Sequence, residues 1–139
     1  MIVPRSLRER SVFVDTSAFY ALLDRSDRRH ADSRRLFEQL ARERRPLFTS
    51  NLVVAETYAL VRYALGHALA LRWLDSLDLN LVLQTEPDHV QARNVLVRFD
   101  DKDFSYAGAA SFVLMERLGI PAALTFDAHF EQYGLSVYR

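Results

Sequence analysis

Short, continuously apolar runs rich in β-branched residues alternate with longer helical segments along the 139 residues, and this alternation limits the fold more than any other feature. Strands are expected at 11–14, 47–49, 80–83, 122–125 and 135–138. Helices are expected at 16–23, 30–44, 51–65, 68–77, 87–99, 105–118 and 128–133. Strands of this kind, separated by helices, predict a mostly parallel sheet buried on both faces. The length suits one domain, and there is no repeat or linker. We therefore expect an arm over residues 1–10 followed by a single α/β domain over 11–139.

Local signals support individual elements. In 30–44, Ser33, Leu36, Phe37 and Leu40 recur on one face, with the arginines on the other. Asp32 with Arg35 and Glu38 with Arg42 have the spacing of helical charge pairs, so most of these arginines belong to a solvated face. Pro46 is expected to stop that helix, Asn51 to cap the next, and Gly66 to end it.

Composition excludes several classes. The chain has no cysteine, which removes disulfides, thiolate catalysis and cysteine metal sites. It is compatible with a reducing compartment, and we expect a cytoplasmic protein. Eighteen basic residues balance 18 acidic ones, which argues against a protein that coats nucleic acid broadly. Lys102 is the only lysine. The first 45 residues carry an excess of arginine and the remainder an excess of acid, which directs attention to carboxylates. No stretch is long and uncharged enough to predict a membrane span. Arg5, Arg8 and Arg10 read as a frayed terminus, with contact to an RNA backbone as the other reading.

Three acids stand alone in apolar windows. Asp15 is the only charged residue between Arg10 and Asp24, Glu56 between Arg45 and Arg62, and Asp127 between Arg117 and Glu131. Taken singly, Asp15 and Asp127 fit helix caps and Glu56 fits a solvent-facing position. Taken together, two lie at strand carboxyl ends, where sites of open parallel sheets form, and the third lies on a flanking helix. Clustered carboxylates repel and hold protons unless a cation resolves the repulsion. All-oxygen ligation with retained water suits Mg²⁺ or Mn²⁺, and such a centre supports phosphodiester hydrolysis. Thr16, Ser17 and Thr125 are the polar neighbours of this set. The four histidines show no shared ligand spacing. Phe19, Tyr20, Tyr63 and Trp73 are expected to pack the core or a partner groove.

Val14-Asp15-Thr16-Ser17-Ala18, Val54-Ala55-Glu56, Asp101-Lys102-Asp103-Phe104-Ser105 and Leu124-Thr125-Phe126-Asp127-Ala128-His129-Phe130 together resemble the PIN domain, in particular the VapC-type toxins of toxin–antitoxin pairs. The resemblance runs from about residue 11 to residue 138. It implies a three-layer α/β/α fold and a Mg²⁺- or Mn²⁺-dependent endoribonuclease, with Asp15, Glu56 and Asp127 as catalytic and metal-binding acids. It also implies an RNA substrate, a cognate antitoxin and a homodimer, with no membrane partner. Two other Asp-bearing α/β classes fit less well. A haloacid-dehalogenase phosphatase needs a second Asp where Ser17 stands, and a phospho-receiver needs a late lysine.

The family pattern carries a further acid near the start of the helix after the Asp103-Phe104-Ser105 turn, and here that position is Gly108. With Ser105 as N-cap, residue 108 is N3, where an acid would face the helix dipole. Glycine there costs roughly 1 kcal/mol against alanine. Either Gly108 is natural and the chain is a weakened nuclease or a non-catalytic module binding antitoxin or RNA, or glycine is an inactivating substitution. Asp103 reads as a solvated turn acid, with a substitute ligand as the alternative.

Overall fold

The computed structural model describes residues 5–139. After a helical turn, α1 (Arg5–Arg8), the elements alternate as expected. These are β1 (Val12–Val14), α2 (Thr16–Leu23), α3 (His30–Arg42), β2 (Leu47–Ser50), α4 (Asn51–Leu65), α5 (His67–Ser76) and β3 (Asn80–Val82). They continue with α6 (Glu86–Arg98), α7 (Tyr106–Leu118), β4 (Ala122–Leu124), α8 (His129–Tyr133) and β5 (Ser136–Val137). The five described strands form one sheet in the order β3-β2-β1-β4-β5, and every pairing is parallel.

Successive strand side chains point to opposite faces. Val12, Phe13 and Val14 are all 0% exposed, so helices cover both faces of the sheet at its centre. β1 is the pivot. From it the chain winds out to β2 and β3, returns, and continues to β4 and β5 on the other side. The strand order therefore reverses between β1 and β4, at the point where open α/β sheets leave a crevice beyond the strand carboxyl ends.

Several boundaries differ from the expected ones for local reasons. α3 ends at Arg42 because Arg44 takes a positive φ of 53°, turning the chain before Pro46. Arg44 N–H and Arg45 N–H then donate to the carbonyls of Ala41 and Leu40, which satisfies the last turn. α4 is capped by Ser50, whose Oγ accepts from Val53 N–H at 3.1 Å. Asn51 is not the cap; its Oδ1 accepts instead from Gln84 N–H at 2.9 Å and ties the start of α4 to the segment after β3. Glu38 pairs with Arg34 at 3.2 Å rather than with Arg42.

Of the expected arm, residues 1–4 lie outside the described residues. Arg8 and Arg10 are held to the fold. Ser11 Oγ donates to the Arg8 carbonyl at 2.7 Å, the Arg10 guanidinium donates to the Glu43 carbonyl, and Arg45 donates to the Arg10 carbonyl.

α6 opens with a capping box in which Thr85 and Asp88 exchange bonds. Asp88 is 2% exposed and also accepts from Arg117 Nε and Nη2 at 2.8 and 2.9 Å, which locks α6 to α7. Burial pushes its carboxyl up, but the Thr85 backbone N–H and the Arg117 guanidinium outweigh that and hold it below the ordinary 3.8. Replacing Arg117 with alanine strands a buried carboxylate, and we expect a loss of about 3 kcal/mol in a urea melt at pH 7. A folded value below the unfolded one gives stability above pH 3.8 that disappears on acidification, so the difference between variant and parent shrinks as Asp88 protonates.

Candidate active site

The end of β1 places Asp15 at the mouth of the crevice. Its N–H donates to the Leu124 carbonyl at 3.1 Å, prolonging the β1–β4 ladder by one residue. Its side chain then turns to cap α2. Asp15 Oδ2 accepts from Ser17 N–H at 3.4 Å, Ser17 Oγ at 3.0 Å and Thr125 Oγ1 at 2.9 Å. Ser17 Oγ in turn accepts from Phe126 N–H, and Thr125 Oγ1 from Asp127 N–H. The two hydroxyls thus stitch the end of β1 to the turn after β4 and fix the backbone that carries Asp127. Asp127 Oδ1 accepts from His129 N–H at 2.9 Å. Both strand-end acids therefore also act as local turn or cap acceptors.

Glu56 reaches the same place from α4. Thr57 Oγ1 donates to Thr16 Oγ1 at 3.0 Å, and Thr49 Oγ1 donates to the Val14 carbonyl at 2.8 Å. These buried bonds press α4 and β2 against the Asp15 turn and leave Glu56, one residue before Thr57, exposed on the pocket wall. Thr49 and Thr57 were not singled out in the sequence. The available signal was a threonine inside an otherwise apolar strand and helix.

Asp15, Thr16, Ser17, Glu56, Gly108 and Asp127 all line one pocket of about 230 Å³, with Leu60 and the α7 cap Ser105. Ser105 Oγ accepts from Gly108 N–H at 3.0 Å, the N-cap expected from the sequence. The glycine sits on ordinary helical backbone. A Cβ built there would lie 3.1 Å from Ser105 Oγ and 3.8 Å from Phe112 Cζ. Asp103 lies in the exposed turn before α7 and does not line the pocket. Thr125 reaches the site through its bond to Asp15 rather than as pocket wall.

The other singled-out residues lie elsewhere. Phe19 and Trp73 meet edge to face, with ring centroids 5.3 Å apart, inside the core. Tyr20 donates to Asp24 at 2.7 Å. Tyr63 is 91% exposed and packs no core. His129 sits 3.3 Å from Asp127, while His30, His67 and His89 bond to Ala21, Arg62 and Tyr106 respectively.

Electrostatically the site is short of positive charge. Asp15 is 9% exposed, and burial pushes its carboxyl above the ordinary 3.8, against the hydrogen bonds from Thr125, Ser17 and the Thr16 backbone; the nearby Asp127 charge pushes the same way. Among the described residues neither acid pairs with a lysine or arginine. Every donor here is a hard oxygen, the set that suits Mg²⁺ or Mn²⁺. Among the described residues no three His, Asp or Glu side chains form a ready-made metal cage. Mg²⁺ keeps several waters and is commonly held by one or two carboxylates, so the two strand-end acids fit it without a third.

Comparison with known proteins agrees with this architecture. Two curated relatives, from two strains of Mycobacterium tuberculosis, bear the name 23S rRNA-specific endonuclease VapC20. Each is 36% identical over 134 residues, covering 92% of this chain and 98% of the relative. The crystal structure of Mycobacterium tuberculosis VapC20, described as a sarcin–ricin loop cleaving toxin, superposes with a TM-score of 0.84 at 34% identity, over 92% of this chain and 98% of that one. The PIN domain model matches residues 12–135, in keeping with the five parallel strands and the acids at their switch point, and the chain belongs to the PIN-domain family.

Proposed function

We propose that the chain is a toxin of the VapC kind, a Mg²⁺- or Mn²⁺-dependent endoribonuclease acting on ribosomal RNA in the cytoplasm. The observation that carries this is the convergence of Asp15 and Asp127 from adjacent strand ends with Glu56 in one pocket. The similarity to proteins named as 23S rRNA-specific endonucleases supports RNA as the substrate. Such a toxin needs a cognate antitoxin that covers the acids, and a homodimer is the assembly we propose for it. Among the described residues no helix is long and apolar enough to cross a membrane.

Asp15 and Asp127 would hold the cation, with Glu56 beside it, and when bound it would supply water activation and charge neutralisation at the scissile phosphate. The chain's own groups set the conditions. The Ser17 and Thr125 hydroxyls fix the orientation of the Asp15 carboxylate and keep the Asp127 backbone in place. Burial of Asp15 makes its charged form costly without a partner, which favours occupancy by a cation.

Gly108 supports a second reading, a PIN-fold module that binds antitoxin or RNA without cutting it, because the pocket lacks a carboxylate at that position. Incubation of the protein with 23S rRNA and 5 mM Mn²⁺ (about the range that saturates weak carboxylate sites), followed by primer extension, separates the two. We expect a discrete break that EDTA abolishes. RNA left whole alongside saturable Mn²⁺ binding selects the non-catalytic module. Absence of Mn²⁺ binding in calorimetry overturns the metal assignment itself.

A further inference from the structure

A second cavity, of about 280 Å³, opens beside the acidic pocket and shares Asp127 with it. Its floor is the turn after β4, and its wall is the start of α3. The Arg29 guanidinium lies over the Phe126 ring, 5.5 Å from its centroid, and presents a flat cation to the cavity. Asp32 lies between Arg29 and Arg35 at 3.7 and 4.0 Å, beyond hydrogen-bond reach of both. Among the described residues no hydrogen bond occupies the Asp32 carboxylate or the Arg35 guanidinium, so acceptors and donors both stand open to a ligand.

The charge balance selects the ligand class. Arg29, Arg35 and Arg139 on the lining are matched by Asp32, Asp127 and Glu131. A clamp for phosphate would need a clear positive excess, since each carboxylate repels the anion. A neutral, flat group carrying donors and acceptors on one edge fits better. Single-stranded RNA is read in this way, with an unstacked base laid on an aromatic or guanidinium plane and its edge hydrogen-bonded. Among the four bases only guanine presents two adjacent donors, N1–H and the N2 amino group, to a carboxylate, and acceptors at O6 and N7 to a guanidinium.

We propose that this cavity is a base-specificity pocket that takes one splayed-out guanine of the RNA strand, stacked on Arg29 over Phe126 and read by Asp32 and Arg35, next to the phosphate at the acids. The pocket rests on the nuclease reading for its biological meaning, but its binding chemistry does not need the metal. It selects which phosphodiester enters the acidic pocket, because Asp127 and Phe126 are consecutive residues of one turn.

The test is binding of GMP, IMP, AMP and inorganic phosphate to the full chain in EDTA, followed by calorimetry or amide chemical shifts. GMP is expected to bind tightest, and IMP, which lacks the N2 amino group, about tenfold more weakly. Asp32→Asn is expected to reduce GMP affinity about tenfold and Arg29→Ala about fivefold. Arg34→Ala, on the outer face of the same helix, should leave it unchanged. Equal binding of the three nucleotides and phosphate would show an anion clamp and overturn the proposal. So would GMP affinity that ignores Asp32→Asn. Either failure leaves the nuclease reading standing, since that reading is judged by Mn²⁺ binding and RNA breakage.

Discussion

Gly108→Asp is expected to tighten Mn²⁺ binding about tenfold and to raise metal-dependent RNA cleavage by about 100-fold or more, the scale on which one added charge-stabilising group acts at a reacting phosphate. The residue lines the same pocket as Asp15, Glu56 and Asp127, so a carboxylate there joins them directly. The backbone accepts it, because no left-handed conformation requires glycine at this position. The new Cβ meets Ser105 Oγ at 3.1 Å, so the cap hydroxyl must shift by a few tenths of an ångström. An acid at N3 offsets that disturbance by facing the helix dipole and completing a capping box with Ser105. Gly108→Ala is the control. It removes the same glycine and meets the same hydroxyl, so it isolates helix propensity and is expected to move thermal stability by up to about 1 kcal/mol while leaving Mn²⁺ affinity alone. Calorimetric titration of the three proteins with Mn²⁺ decides the matter. If aspartate and alanine behave alike, the absent acid is not what limits this pocket.

Asp15→Asn is expected to have the opposite effect on chemistry and an unexpected one on stability. Cleavage should fall by about a thousandfold or more, because the buried strand-end carboxylate is lost and asparagine brings no charge to hold a cation. The metal-free variant should nevertheless melt higher than the parent at pH 7. Burial holds the folded Asp15 value above the ordinary 3.8. A raised folded value means that the associated stability is fully present below pH 3.8 and is lost as pH rises through the folded value. At neutrality the parent therefore bears the cost of keeping that carboxyl buried, whether as a charge or by taking up a proton, and the variant does not. The gap should narrow on acidification towards the ordinary carboxylate range. Adding Mn²⁺ at 100 times its dissociation constant should reverse the order, since ligand binding stabilises the parent by about 2.7 kcal/mol and the variant by almost nothing. Differential scanning calorimetry at pH 4 and pH 7, with and without Mn²⁺, tests all four conditions. A variant that melts below the metal-free parent at pH 7 would mean that the three hydrogen bonds to Oδ2 outweigh the burial of charge.

Much of this was legible in the letters. The run Val12-Phe13-Val14 is apolar at every position because both faces of a central parallel strand are covered. Lone acids in apolar windows drew attention to Asp15, Glu56 and Asp127, and these three line one pocket. Ser105 announced the start of α7, with Gly108 three residues later at the third position of that helix. Boundaries were less legible. Both Ser50 and Asn51 are good caps by type, and the side chain that caps is decided by which residue still has extended backbone, here Ser50 with ψ of 162°. Arg44 gave no sign of its left-handed turn, because that conformation is imposed by the bonds from the Arg44 and Arg45 N–H groups back to the last turn of α3.

By itself, then, the sequence determined the periodicities, the parallel α/β class, and which acids stand alone in apolar stretches of the chain. Those are local properties, written in hydrophobic pattern and residue chemistry. The tertiary structure alone decided that Asp15 and Asp127 flank the point where strand order reverses, and that Ser17 and Thr125, separated by 108 residues, both donate to the Asp15 carboxylate. It also brought Arg29 from the start of α3 over Phe126 from the end of β4. No local signal specifies contacts between distant segments. They follow from register and crossover, which burial of both sheet faces fixes only once the whole chain has packed.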